Sequence, residues 1–221
     1  SFNNLAKVLY LRGDFAAAEP LYRQVLELRR ELLGRHPSVA VSLNNLAKVL
    51  YVRGQFDEAL PLYRETVALK RELLEPGHPS LATSLHGLAQ VMHALERWDE
   101  AEPLLHEAYA LRGKALPADH PAIAESLVGI GELLLDQERA LKAEPLLRQA
   151  LDIRSRRLEA TDWRLAEAQS VLGGALVALG EKAEGVTQLK RSAEALDQAL
   201  GPETTPARRA RQRLMDLGAE P

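Results

Sequence analysis

The residues with the clearest chemical potential in this sequence are its six histidines, because imidazole binds metals and exchanges protons near neutral pH. His86 and His93 are seven positions apart with Gln90 between them, so all three fall on one face of a helix. Such a pair could supply two metal ligands, but no carboxylate is placed to complete a site. We therefore expect no metal site and no other cofactor, and we interpret His86 and His93 as groove-lining or exposed residues.

Catalytic motifs of other kinds are missing from the sequence. There is no cysteine to serve as a nucleophile or thiolate ligand, and no glycine-rich phosphate loop, GxSxG elbow or HExxH pair occurs. The GIG at 129–131 lacks the third glycine and the preceding strand of a dinucleotide-binding fingerprint. Carboxylates are abundant but scattered along helix surfaces, where they commonly pair with Lys or Arg four residues away. The sequence predicts that the chain is not an enzyme.

The composition predicts a helical protein of balanced charge. Hydrophobic residues make up 46% of the chain but aromatic residues only 5%, so the core must consist mainly of Leu, Ala and Val. With 28 Lys plus Arg against 31 Asp plus Glu, the net charge of -3 is too balanced for a protein that coats nucleic acid. No run approaches the roughly 18 apolar residues of a membrane span. We expect no binding to nucleic acid or membrane, and a cytoplasmic location.

A repeat of 41 or 42 residues organises the chain. The stretch SFNNLAKVLYLRGDF at 1–15 returns as SLNNLAKVLYVRGQF at 42–56, and weaker copies follow every 42 residues. Each copy holds two amphipathic segments, helix A and helix B, separated by a turn such as the one at Gly54. His-Pro dipeptides mark the start of helix A, because proline suits a first helical turn and disfavours helix in the residue before it. The dipeptides begin at His36, His78 and His120, and we predict repeats at 1–36, 37–78, 79–120, 121–162 and 163–201.

These repeats resemble the tetratricopeptide repeat (TPR) in its 42-residue, kinesin light chain-like variety. The resemblance rests on the order Leu, Leu-Ala, Leu and Gly, then Ala, Tyr, a small residue and a later Pro, and it covers nearly the whole chain. It implies an all-α fold, a right-handed superhelical solenoid of about five helix-turn-helix hairpins, since a single hairpin cannot bury its apolar faces alone. The bias toward Ala, Leu and Arg suits a GC-rich genome, so we also expect a bacterial source.

The fifth repeat and the C-terminus depart from this pattern. Asp162-Trp163 replaces His-Pro, and Gly173-Gly174 is expected to loosen helix A. A last helix at about 203–217 is predicted to cap the array. Its basic cluster is interpreted as a solvated face, with nucleic-acid binding as the alternative. The cluster comprises Arg208, Arg209, Arg211 and Arg213.

The side of helix A turned away from helix B is the candidate binding surface, which we call the A face. Its residues follow i, i+4, i+7 spacing. They are Asn3, Lys7 and Tyr10 in the first repeat, Asn44, Lys48 and Tyr51 in the second, His86, Gln90 and His93 in the third, and Glu132 in the fourth. Asparagine amides can pair with the main chain of an extended peptide, and the two lysines favour an anionic one. The family resemblance implies peptide contacts for Asn3, Asn44, Lys7 and Lys48.

We therefore predict a protein-interaction module, an adaptor or scaffold that binds a peptide or a folded partner on the A face. An acidic or C-terminal peptide would place its anionic end against the first two repeats. Its apolar or cationic part would reach toward Glu132, Leu135 and Asp136. Alternatively, the first two repeats are recent duplicates, and their Asn and Lys residues are identical by copying, with Asn bonding between helices and Lys solvated.

The beginning of the sequence leaves two other functions open. Ser1 aligns with Ser42, which lies inside helix A, so we expect the chain to be a fragment of a longer protein. The repeats could then be a regulatory or sensor array of a larger effector, with a protease or nucleotide-hydrolysing domain outside the fragment. They could also belong to a structural protein that self-associates end to end through an incompletely capped repeat.

Overall fold

The computed structural model describes residues 2–217, and every regular element in that range is an α-helix. The helices are α1 Phe2–Leu11, α2 Phe15–Leu33, α3 Pro37–Val52, α4 Phe56–Leu73, α5 Pro79–Ala94, α6 Trp98–Ala115, α7 Pro121–Asp136, α8 Ala140–Arg157, α9 Trp163–Ala178, α10 Lys182–Leu200 and α11 Thr205–Met215. The predicted all-α fold of helical hairpins is confirmed.

The chain divides into two compact units, one ending at Leu111 and the other beginning at Arg112. Odd-numbered helices up to α9 are A helices and even-numbered ones are B helices. In the first unit α1 packs on α2, α2 on α3, α3 on α4 and α4 on α5. In the second unit α7 packs on α8, α8 on α9, α9 on α10 and α10 on α11. Each unit is therefore a stack in which every helix packs mainly on its neighbours in sequence.

Histidine caps begin three of the A helices. The Nδ1 atoms of His36, His78 and His120 each accept a backbone N–H bond of 3.1 Å from the residue two positions later. Proline follows each histidine in the first turn, where its missing N–H costs nothing. Asp162 caps α9 in the same way, accepting from the Arg164 N–H at 3.0 Å. The fifth repeat has lost the His-Pro dipeptide but has kept the capped helix start.

Turns between helix A and helix B need a residue with a left-handed backbone. Gly54 and Gly180 provide it with φ angles of 76° and 94°. The equivalent positions of the third and fourth repeats are Glu96 and Glu138, which adopt φ angles of 58° and 61°. A residue with a Cβ atom pays a steric cost of about 1 kcal/mol or more in this region. Two of the turns are therefore strained by their side chains.

Replacing Glu138 with glycine is expected to raise the free energy of unfolding by about 0.5–1 kcal/mol, because the steric cost disappears while the unfolded chain gains some entropy. Urea unfolding followed by circular dichroism measures the change. The reverse substitution at the equivalent position, Gly180→Glu, is the matched control and should lower the free energy of unfolding by a similar amount. A shift of both variants in the same direction would contradict the assignment of strain to this turn.

A cation lies at each junction between a B helix and the next A helix. The four side chains recur every 41 or 42 residues, at Arg29, Lys70, Arg112 and Arg154. Each donates to a backbone carbonyl in the first turn of the following A helix. The distances are 3.0 Å for Arg29 and 2.7 Å for Lys70. These contacts tie each hairpin to the next one.

The arginines of this row make more bonds than the lysine. Arg112 also donates to Ser126 Oγ at 2.7 Å, and Arg29 donates to Ser42 Oγ at 2.8 Å. Burial lowers the pKa of Lys70 to about 8, whereas an arginine keeps its charge when buried. The sequence analysis missed this row, although its 42-residue spacing is visible in the sequence.

Glycines bring α9 and α10 close together. A Cβ atom on Gly185 would lie 2.6 Å from the Gly173 carbonyl oxygen, and one on Gly173 would lie 2.9 Å from the Gly185 carbonyl oxygen. The prediction that Gly173-Gly174 loosens helix A is wrong, because α9 runs unbroken from Trp163 to Ala178. The glycines instead permit close contact between the two helix backbones.

The first A helix is the least covered one. Leu5 and Val8 of α1 are 51% and 43% exposed, whereas Leu46 and Val49 at the equivalent positions of α3 are buried. The difference arises because α2 precedes α3 and packs against it, while no helix of the described residues precedes α1. Self-association through this apolar surface stays a prediction.

Candidate functional site

The A face of the first unit presents two lysines. Lys7 on α1 and Lys48 on α3 are both exposed. The Nζ atom of Lys48 lies 5.1 Å from the centre of the Tyr10 ring, within the range of a cation–π interaction. Tyr10 in turn packs edge-on against Phe15, with 5.2 Å between ring centres. Two positive charges and one aromatic ring therefore share this part of the A face.

The two asparagines differ in their surroundings. Oδ1 of Asn44 accepts a hydrogen bond of 2.9 Å from the Ser84 hydroxyl, which links α3 to α5. Oδ1 of Asn3 is buried and accepts no hydrogen bond from residues 2–217. Asn44 thus has the interhelical role that the duplication alternative predicts, although its amide nitrogen donates to none of the described residues. Ser84 was not among the predicted site residues, but it shares a repeat position with Ser42 and Ser126.

The aromatic and histidine positions of the A face are largely inaccessible. Tyr51 is 7% exposed and packs against Phe56, with ring centres 5.7 Å apart. His86 and His93 on α5 are only 2% and 6% exposed, and only Gln90 between them is half-buried. The prediction that the histidines are exposed is wrong, because α3 and α5 approach each other closely enough to exclude solvent there. Within residues 2–217 no group of three His, Cys, Asp or Glu side chains could hold a metal ion.

Glu132 is occupied by the C-terminal helix of its own chain. Arg209 of α11 donates to its Oε2 at 2.8 Å, and Arg213 donates to its Oε1. Arg213 also donates to Ser170 Oγ on α9 at 3.1 Å. The Glu132 side chain is 12% exposed, so it is not an open contact for a cationic ligand. This arrangement contradicts its predicted role at the far end of a bound peptide.

The basic cluster of α11 is likewise not a solvated face. The side chains of Arg209, Arg211 and Arg213 are 23%, 23% and 15% exposed. Arg211 pairs with Asp197 at 3.4 Å, while the other two hold Glu132. Of the cluster, Arg208 alone is classed as exposed. The cluster is internally neutralised because α11 packs on α10 and reaches over α9.

The sequence of this array matches a family model described as tetratricopeptide repeat, over residues 1–72, 39–114 and 80–156. The chain belongs to the tetratricopeptide repeat family. TPR arrays are generally protein-interaction or scaffold modules and are typically non-catalytic. None of the TPR helices in residues 2–217 combines the length and apolar character needed to cross a membrane.

Solved structures with similar folds are kinesin light chain-like TPR proteins. Two crystal structures of nearly identical TPR-like repeats from a kinesin light chain-like protein of Podosopora anserina are 27% identical to this chain, with TM-scores of 0.66 and 0.64. Each covers 89% of this chain and 93% or 94% of the other. The predicted resemblance to kinesin light chain-like repeats is confirmed.

A third structure, BtubC (BKLC) from P. vanneervenii, shares the fold at 23% identity and a TM-score of 0.67. The alignment covers 88% of this chain and 78% of that one. No match was found among curated protein sequences.

Proposed function

We propose that this TPR array binds an acidic polypeptide segment on the A face of its first unit, as an adaptor or scaffold. The observation that carries the proposal is the pair of exposed lysines, Lys7 and Lys48, at equivalent positions of α1 and α3. Lys7 forms no ion pair with any residue in 2–217, in contrast to the many arginines of the chain that are paired with carboxylates. A positive charge left without an internal partner favours an anionic ligand.

The surroundings of the lysines support a polypeptide as the ligand. Tyr10 is half-buried, so part of its ring remains open for a side chain of the ligand. The Asn44 amide nitrogen, which donates to no described residue, can donate to a main-chain carbonyl, and Asn3 Oδ1 can accept from a main-chain N–H. Because Glu132 is held by α11, the proposal is confined to residues of α1 and α3.

Fluorescence anisotropy with synthetic peptides tests this proposal. Three labelled peptides share one sequence, except that the charged positions are all Glu, all Gln or all Lys. We expect the Glu peptide to bind most tightly and to weaken with added salt, because exposed charges are screened. The double variant Lys7→Glu, Lys48→Glu should lose about tenfold in affinity for it, which corresponds to about 1.4 kcal/mol.

The matched control reverses two exposed lysines on α10, in the variant Lys182→Glu, Lys190→Glu, and so changes the net charge equally. It should bind the Glu peptide as the unsubstituted chain does. Equal losses in the two double variants would show that only net charge matters. No difference among the three peptides would remove the acidic preference.

A further inference from the structure

A cavity of about 530 Å³ lies in the second unit between α8, α9 and α10. Its apolar lining comes from Leu151 on α8 and from Leu165 and Leu172 on α9. Two glutamine amides, Gln169 on α9 and Gln188 on α10, supply polar lining. The cavity therefore offers both apolar contact and hydrogen-bonding groups, which is the usual make-up of a binding pocket.

The cavity occurs where the fifth repeat departs from the others. Gln188 occupies the helix B position at which Leu62, Leu104 and Leu146 stand in the second, third and fourth repeats. Each of those leucines is half-buried. The amide nitrogen of Gln188 instead donates to Glu184, one turn earlier on α10, at 3.2 Å. The fifth repeat therefore lacks the leucine side chain that its equivalents bury.

Both glutamine amides have unused hydrogen-bonding capacity. Oε1 of Gln188 is buried and accepts no hydrogen bond from residues 2–217. Gln169 is exposed and forms no hydrogen bond within the same range. The terminal torsion of a glutamine side chain is broad, so a small rotation can turn either amide group into the cavity. A ligand with peptide groups could satisfy both side chains.

The charges at the rim of the cavity are neutralised by the protein itself. Arg148 donates to Glu144 at 2.8 Å, and Asp152 accepts from Arg156 at 2.6 Å. These pairs lie along α8, and each joins residues four positions apart. With its rim charges already paired, the cavity favours an uncharged ligand.

We propose that this pocket binds an uncharged, leucine-sized side chain of a partner polypeptide. The partner supplies the apolar group that the fifth repeat lacks, while Gln169 and Gln188 bond its main-chain amides. Leu165, Gln169 and Leu172 lie about 130° around α9 from Ser170 and Gly174, at about 100° per residue. The pocket is thus on another side of the A helix, and it is independent of the acidic-peptide site proposed above.

Nuclear magnetic resonance with N-acetyl-leucinamide as the probe tests the pocket, because this molecule carries one leucine side chain between two peptide groups. We expect saturable shifts of the α9 and α10 amide signals at millimolar concentration, and binding of N-acetyl-alaninamide about tenfold weaker. Gln188→Leu restores the side chain of the other repeats and fills the pocket, so it should abolish the shifts while the chain stays folded. Gln198→Leu, an exposed glutamine on the same helix outside the pocket, is the matched control and should leave binding unchanged.

Three results would overturn the proposal. The first is the absence of shifts in the unsubstituted chain, and the second is equal binding by Gln188→Leu. The third is equal binding of isobutanol, which has the side chain but no peptide groups, or of N-acetyl-glutamate amide, which is charged. The Lys7→Glu, Lys48→Glu variant should bind N-acetyl-leucinamide normally, so failure of one site is distinguishable from failure of the other.

Discussion

Replacing Arg154 with methionine is expected to lower the free energy of unfolding by about 3 kcal/mol, the typical cost of removing one partner from a buried ion pair. The Arg154 side chain is 2% exposed and donates to Glu167 Oε2 at 3.1 Å and to the Arg164 carbonyl. Methionine fits a similar volume but cannot make either bond. Urea unfolding followed by circular dichroism, with hydrogen exchange to locate the loss in α8 and α9, measures the effect.

The response to pH distinguishes a charge effect from a packing effect. Burial raises the pKa of Glu167, and the attraction of Arg154 opposes that rise. Without Arg154 the carboxylate is left with less compensation, so its protonated form becomes relatively more stable in the folded chain. A group whose pKa is raised on folding destabilises the fold when it is ionised and not when it is protonated. The loss caused by Arg154→Met should therefore shrink as the pH falls toward the ordinary range of a glutamate.

Two companion variants make the Arg154 result decisive. Arg156→Met on the same helix removes an exposed arginine that is paired with Asp152, and it should cost less than about 1 kcal/mol. Arg154→Met combined with Glu167→Gln removes both charges and should recover part of the loss. If the double variant were no more stable than Arg154→Met at neutral pH, the ion pair would not be the cause.

Gly185→Ala is expected to lower the free energy of unfolding by about 1–2 kcal/mol. The added Cβ atom would lie 2.6 Å from the Gly173 carbonyl oxygen and 3.0 Å from the Val177 backbone nitrogen, so α9 and α10 would have to separate. Overpacking of this kind costs about 1–3 kcal/mol, and the better helix propensity of alanine offsets up to about 1 kcal/mol of it. Urea unfolding compared with the unsubstituted chain measures the difference.

Gly113→Ala is the control for Gly185→Ala. Gly113 lies inside α6, and a Cβ atom there would meet nothing within 4 Å. With helix propensity as the main effect, this variant should gain about 0.5–1 kcal/mol. The same substitution should thus change stability in opposite directions at the two sites. A gain at both sites would show that the close contact between α9 and α10 is not needed.

Local features of the fold could be predicted from the sequence because they depend on neighbouring residues. The 42-residue period, the His-Pro helix starts and the turn at Gly54 all act within a few positions of the chain. The predicted C-terminal helix at 203–217 was placed by its position after the last repeat, and the structure has it at Thr205–Met215. The loss of His-Pro at Asp162 suggested a degraded repeat, although aspartate is itself a strong helix cap.

The candidate site was only partly predictable. Lys7 and Lys48 are exposed as the spacing of helix A predicts, since each faces away from its own hairpin. His86 follows the same spacing but is buried, because its surroundings depend on a second A helix about 42 residues away. Position within one amphipathic helix therefore identifies a face but not its accessibility.

By itself, the sequence determined the repeat, the paired helices, the family and the general class of interaction module, because these follow from short-range periodicity repeated along the chain. Only the tertiary structure decided which residues of the A face are open. Glu132 is held by arginines 77 and 81 positions later in the chain. The contact of Gly173 with Gly185 likewise depends on how two helices pack. No pattern within a single repeat specifies such contacts, since they depend on side chains that meet only after α11 and α10 have folded against α9.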